Sequence, residues 1–148
     1  MSMLRSLLVA VSISTAASAL ADGPGLGVPV PAEEAAGWDI SIMPDGRGLP
    51  RGKGSVAGGA LIYADRCANC HGDKGQGHEK IPGMQLVGGI GSLATDKPMK
   101  SVGSFWPYAS TLFDYVRRAM PIDRPGSLTA DETYAVSAFV LHLNGILG

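Results

Sequence analysis

Cys67-Ala68-Asn69-Cys70-His71 decides the reading of this chain. Two thiols three positions apart with a histidine directly behind them make the C-x-x-C-H pattern of c-type haem attachment. The thiols add to the two vinyl groups of haem and hold the macrocycle covalently. The adjacent imidazole then sits beneath the iron as proximal ligand. Three other readings use part of the pattern. A thioredoxin-like redox pair calls for a βαβ context, and no alternating strand pattern lies on either side. A zinc site needs more ligands, yet only His78 and His142 remain and there is no second cysteine pair. A disulfide between Cys67 and Cys70 leaves His71 without a role.

Working outward, Ser55 offers an N-cap to a helix that runs into the motif. Gly59, Tyr63 and Cys67 follow at steps of four and share one face. A glycine in that stripe weakens the helix but admits another helix closely. After Cys67 the chain turns glycine-rich as far as Gly91. A second helix is expected over 111–120, capped by Ser110 or Thr111 and stopped by Pro121. The last helix begins at a capping box, Thr129-Ala-Asp-Glu132, and ends at Asn144-Gly145. Tyr134, Ala138 and Leu141 form its apolar stripe, extended by Val136, Val140 and Leu143. The expected class is all-α, with a few short helices and long loops. Residues 55–148 amount to 94 positions. Short helices with so much glycine bury few side chains, so a covalent haem is needed to fill the middle.

Upstream of Ser55 the character differs. Residues 22–54 hold 13 Gly or Pro among 33. No helical or strand period survives such a density of breakers. Trp38, Ile40, Ile42 and Met43 lie inside this stretch, which suggests an extended arm packed on its own domain or on a partner. Residues 1–21 read as a secretory signal: Arg5 first, then an apolar run, then Ala19-Leu20-Ala21 as the cleavage site. The run is interrupted by Ser12, Ser14 and Thr15 and is short for a membrane span. Export to an oxidising compartment and a soluble, periplasmic product follow, with no stable membrane insertion after cleavage. The expected organisation is a signal peptide at 1–21, an arm at 22–54 and a haem domain at 55–148.

The whole chain has 148 residues, is 45% hydrophobic and 17% charged, and carries a net charge of −1. That balance argues against a polytopic membrane protein and against nucleic acid as partner. Residues 66–124 carry eight Lys or Arg against five Asp or Glu. Lys74, Lys80, Lys97 and Lys100 could therefore ring an exposed haem edge and steer a partner.

The sixth iron ligand has to come from downstream. Met84, Met99, Met120, His78 and His142 are the candidates. Met120 closes a helix and is followed by Pro121, which places a thioether where it can reach the iron. Methionine–histidine ligation raises the potential, as suits an electron carrier. An open sixth position would instead make a haem-based ligand binder. Three more residues are candidate neighbours of the haem. The Pro82 carbonyl could accept the Nδ1–H of His71, and Trp106 and Tyr108 could pack on the ring or donate to its propionates.

With these residues in hand, the chain resembles the class I c-type cytochromes over Ser55 to Gly148. A narrower resemblance rests on Trp38-Asp39-Ile40-Ser41, Pro44 to Pro50, Leu86-Val87-Gly88-Gly89 and Gly91-Ser92-Leu93. It continues through Val102 to Ala109, Thr111 to Tyr115 and Arg117-Arg118-Ala119-Met120-Pro121. These stretches are similar to the monohaem cytochrome subunit of periplasmic sulfite dehydrogenases and to the cytochrome part of sulfane dehydrogenase. The resemblance implies a class I cytochrome c fold with one covalent haem c. It also implies a molybdenum-cofactor sulfite dehydrogenase subunit as electron donor and a downstream cytochrome or oxidase as acceptor. Larger sulfane dehydrogenase cytochromes carry a second haem domain, whereas this chain has one C-x-x-C-H. No catalytic site of its own is visible. A free shuttle serving another periplasmic dehydrogenase is the alternative.

Overall fold

The computed structural model describes residues 26–81 and 83–148; the expected signal peptide and cleavage site lie outside them. In chain order the helices are α1 (Ala32–Trp38), α2 (Val56–Arg66), α3 (Ala68–His71), α4 (Val102–Phe105), α5 (Ala109–Ala119) and α6 (Ala130–Leu143). A 3₁₀ turn spans Ser92–Ala94. The described residues form no strand, only an isolated bridge between His78 and Ile81. The architecture is all-α, as expected.

The body is organised by α6, on which α2 packs most extensively and α5 next. Ser55 caps α2 as its sequence suggests, its Oγ accepting the Gly58 N–H at 3.1 Å. Gly59 faces the Ala135 carbonyl of α6 so closely that a Cβ would collide with it. One turn on, Tyr63 is buried and its ring lies 5.1 Å from that of Phe139. The glycine thus lets two backbones meet, and the aromatic pair fills the space beside the contact.

α6 is buried on more sides than its sequence stripe predicts. Thr133, Val136, Ser137 and Val140 are buried, whereas Tyr134, Ala138 and Leu141 are only half-buried. The latter stripe faces Phe113 of α5, whose ring is 4.4 Å from that of Tyr134. α5 starts two residues earlier than expected, and no side chain caps it. Ser110, one of the two expected caps, instead donates its hydroxyl to the Pro44 carbonyl at 3.0 Å.

That bond belongs to a series that fastens the second half of the 22–54 segment to the body. Arg118 donates to the Ile40 carbonyl at 2.7 Å and Tyr134 to the Pro50 carbonyl at 2.8 Å. The Lys53 N–H reaches the Asp131 carboxylate at 2.8 Å. The first half behaves differently. It contains α1, a helix that the reading of 22–54 as irregular missed. Gly and Pro cluster on either side of Ala32-Glu33-Glu34-Ala35-Ala36, which is a run of good helix formers behind Pro31. No residue of α1 is buried. Trp38 is 82% exposed and Leu26 and Val28 are nearly fully so.

The capping box of α6 is complete. The Glu132 carboxylate accepts from the Thr129 N–H at 2.8 Å and from its hydroxyl at 2.9 Å, and Thr129 Oγ1 accepts from the Glu132 N–H. The backbone bond first, then the hydroxyl, holds the Glu132 carboxyl below its ordinary value of 4.5. Thr129→Ala should cost about 1 kcal/mol, read as a lower midpoint in urea unfolding. Because the folded pKa is depressed, the carboxylate's share of this stability is complete above the ordinary value. It is lost as pH falls through the folded one. The gap between the two proteins should therefore narrow in acid.

Candidate functional site

α2 ends at Arg66, and Cys67 bridges directly into the single turn of α3, which carries Cys70 and His71. The motif is thus fixed at the end of the helix that crosses α6. Gly72 ends the turn with φ +74 and ψ 156. That conformation is essentially reserved for glycine, and it redirects the chain just behind His71.

One cavity gathers the chemistry. Cys67, Cys70 and His71 line it together with Met84 and with Met120 and Pro121 beyond the end of α5. Leu112 and Val116 of α5, Val136 and Val140 of α6, and Leu86 and Leu128 supply apolar walls. Both cysteines are free thiols. Burial pushes the Cys67 thiol up to about 11, as an apolar surround does to a thiol. Among the described residues no three His, Cys, Asp or Glu side chains converge as a metal-binding set.

The Nδ1 of His71 lies 2.7 Å from the Met84 carbonyl. A carbonyl only accepts, so Nδ1 carries the proton and the Nε2 lone pair is left for a metal. The donor set therefore suits haem: two thiols, one oriented imidazole, a soft thioether and an apolar surround.

The expected neighbours of the haem are placed as follows. The acceptor for His71 is Met84, not Pro82, two residues further along; Pro82 itself lies outside the described residues. Trp106 packs on the core edge-on to Tyr115, with centroids 5.4 Å apart. Tyr108 is half-exposed. Neither is among the cavity's lining residues.

Of the candidates for the sixth position, only Met84 and Met120 line the cavity. The backbone of Met84 is bound at the edge of the imidazole away from Nε2, whereas Met120 comes from a separate segment. Met99 and His78 are exposed. His142 is exposed too, its Nδ1 3.1 Å from the Leu147 carbonyl.

Lys74, Lys80, Lys97 and Lys100 are all exposed, but none lines the cavity. The charged residues that do are Arg66 and Asp123. Arg66 lies 3.5 Å from Asp65 and 3.6 Å from Glu132. Its place just before the first motif cysteine was the signal that could have flagged it.

The cytochrome c family model matches residues 56–144. The chain is 32% identical over 91 residues to the thiosulfate dehydrogenase of Stutzerimonas stutzeri (strain A1501). That match takes in 62% of this chain but 28% of the relative. Its structure matches the crystal structure of the sulfane dehydrogenase SoxCD from Paracoccus pantotrophus, with a TM-score of 0.76 and 46% identity. There the match takes in 84% of this chain and 61% of the other.

Replacing both Cys67 and Cys70 by Ala should give a protein that loses all its haem to acid–acetone, while the unaltered protein keeps it. Haem retained in the double variant would contradict thioether attachment at these residues.

Proposed function

The chain belongs to the cytochrome c family and holds one covalent haem c, and from that premise we propose that it is the electron-accepting subunit of a periplasmic, molybdenum-cofactor sulfite dehydrogenase. The observation that carries the reading is the meeting of Cys67, Cys70, His71 and Met120 around one apolar cavity. The likeness to two sulfur-compound dehydrogenases points to the donor. The haem supplies one-electron chemistry, its iron alternating between Fe(III) and Fe(II). Everything else is the work of this chain.

Cys67 and Cys70 fix the macrocycle. His71, oriented through Nδ1, would hold the haem iron through Nε2, and Met120 would hold it through its thioether. Leu112, Val116, Val136 and Val140 keep water from the ring, and a dry surround disfavours the extra positive charge of the ferric state. The partner would remove two electrons from sulfite as water supplies the added oxygen of sulfate and two protons are released. This chain takes the electrons singly and hands each to a downstream cytochrome or oxidase.

Met120→Ala should shift the ferric protein toward high spin and lower its potential, since the thioether that favours Fe(II) is gone. The same change produced by Met84→Ala, with Met120→Ala silent, would move the ligand to Met84.

The exposed stretch from Leu26 to Asp39 is the contact that we assign to the dehydrogenase. Leu26, Val28 and Trp38 gain nothing on their own domain, and burial against a partner would be worth ~25 cal/mol per Å². Residues from Ile40 onward are tied to the body, so the informative truncation removes 22–39 only. It should leave the visible spectrum unchanged, weaken the complex with the dehydrogenase and slow reduction by sulfite. Unchanged affinity and rate would show that this segment takes no part in docking.

A further inference from the structure

His71 is held by more than its own turn. The loop that leaves it at Gly72 returns at Met84 to Leu86 and supplies the carbonyl that takes its Nδ1–H. Each end of that loop is gripped by a buried side chain. At the departure, the Tyr63 hydroxyl donates to the Gly72 carbonyl at 2.8 Å from a ring that is 1% exposed. At the return, the Asn144 side-chain amide donates to the Leu86 carbonyl at 3.1 Å.

Asn144 does more than end α6, although its amide also donates to the Val140 carbonyl at 2.9 Å. Its own backbone N–H already reaches the Val140 and Leu141 carbonyls, and the Gly145 and Ile146 N–H groups serve His142 and Leu141. The amide is buried all the same, and its Oδ1 has no partner among the described residues. Leaving a buried carbonyl unpaired costs free energy. Gly103 is packed against it so tightly that a Cβ would run into Oδ1.

The two gripped ends are also joined to each other. The Leu86 and Val87 N–H groups donate to the Gly75 carbonyl at 2.8 and 3.1 Å, and the Gly77 N–H donates to the His71 carbonyl at 2.7 Å.

We infer that Tyr63 and Asn144 are positioning residues. By clamping the loop at Gly72 and Leu86 from α2 and from the end of α6, they hold the Met84 carbonyl against His71 Nδ1 and so set the electron-donating strength of the axial imidazole. The inference rests on His71 being an axial ligand, as proposed above. A firm Nδ1–H bond makes the imidazole more basic, and a more basic ligand favours Fe(III) and lowers the potential. Slack at either end loosens the bond and raises the potential.

The test uses the holoprotein and three variants. Tyr63→Phe removes one oxygen and keeps the ring. Asn144→Leu removes the donor to the Leu86 and Val140 carbonyls that the amide now serves and adds no charge. Leu141→Ala removes packing on the side of α6 that does not line the haem cavity. The first two should keep the axial ligands of the unaltered protein, as judged by the visible spectrum. Both should raise the midpoint potential. The His71 ring proton, followed by NMR, should exchange roughly five- to tenfold faster in each. Leu141→Ala should lower the thermal midpoint and leave potential and exchange alone. If Tyr63→Phe and Asn144→Leu also lower only the thermal midpoint, the two residues are structural and the inference is overturned. An unaltered protein without a histidine-ligated c-type spectrum would overturn the functional reading itself, and the clamp with it.

Discussion

The close crossing of α2 and α6 is the constraint on which the rest depends. Gly59 lies against the Ala135 carbonyl with no room for a side chain between them. This crossing fixes the far end of α2, and Cys67 follows directly on that end. It also fixes which residues of α6 look inward, and Val136 and Val140 are among the cavity's walls. A shift of one helix along the other would therefore move the haem attachment point relative to the surface that the ring must lie on. Interiors packed at crystal-like density do not absorb such a shift continuously. The glycine costs helix propensity on the order of 1 kcal/mol, and it yields a crossing that larger residues cannot reproduce.

The hydrophobic core and the cofactor site are largely one set of residues. Tyr63, Leu112, Val116, Leu128, Val136 and Val140 make up most of the buried core cluster, and all six line the cavity. A chain this rich in glycine has little other apolar surface to bury, so the covalent ring completes the core as well as carrying the chemistry. The same apolar walls push the Cys67 thiol up to about 11.

What was legible in the sequence is what depends on short-range chemistry. The C-x-x-C-H turn, the Ser55 cap, the Thr129–Glu132 box and the small residue at Gly59 each announce themselves within a few positions, and each is where the sequence places it. The partner of His71 was not legible in the same way. Every residue offers a carbonyl, so a return loop two residues longer puts Met84 where Pro82 was expected, and nothing in side-chain chemistry marks the difference. Asn144 reads as a helix terminator because Asn-Gly commonly is one; its reach to Leu86, 58 positions away, appears only when the loop is folded back. The helix at Ala32–Trp38 was hidden by counting Gly and Pro over the whole segment, although its centre contains none. Trp106 and Tyr108 were proposed beside the haem for their rings and their N–H and O–H donors; Trp106 packs on the core, while Tyr108 is half-exposed.

The charge pattern bears on how such a molecule meets its partners. The excess of basic residues over 66–124 sits on exposed lysines away from the cavity, and one of them, Lys100, lies 4.8 Å from the Phe105 ring centroid. At the cavity, Arg66 and Asp123 carry opposite signs, beside the 68%-exposed Ile122. Charges beyond a Debye length of ~10 Å at 0.1 M salt are largely screened, so a mixed rim has little reach of its own. The dispersed lysines are screened in the same way. Under the proposed docking role, short-range fit would therefore rest on uncharged contacts, Ile122 beside the cavity and Trp38 on the exposed segment. Weak, screened attraction with modest apolar contact would let such a complex form and still release, as loading and unloading single electrons requires.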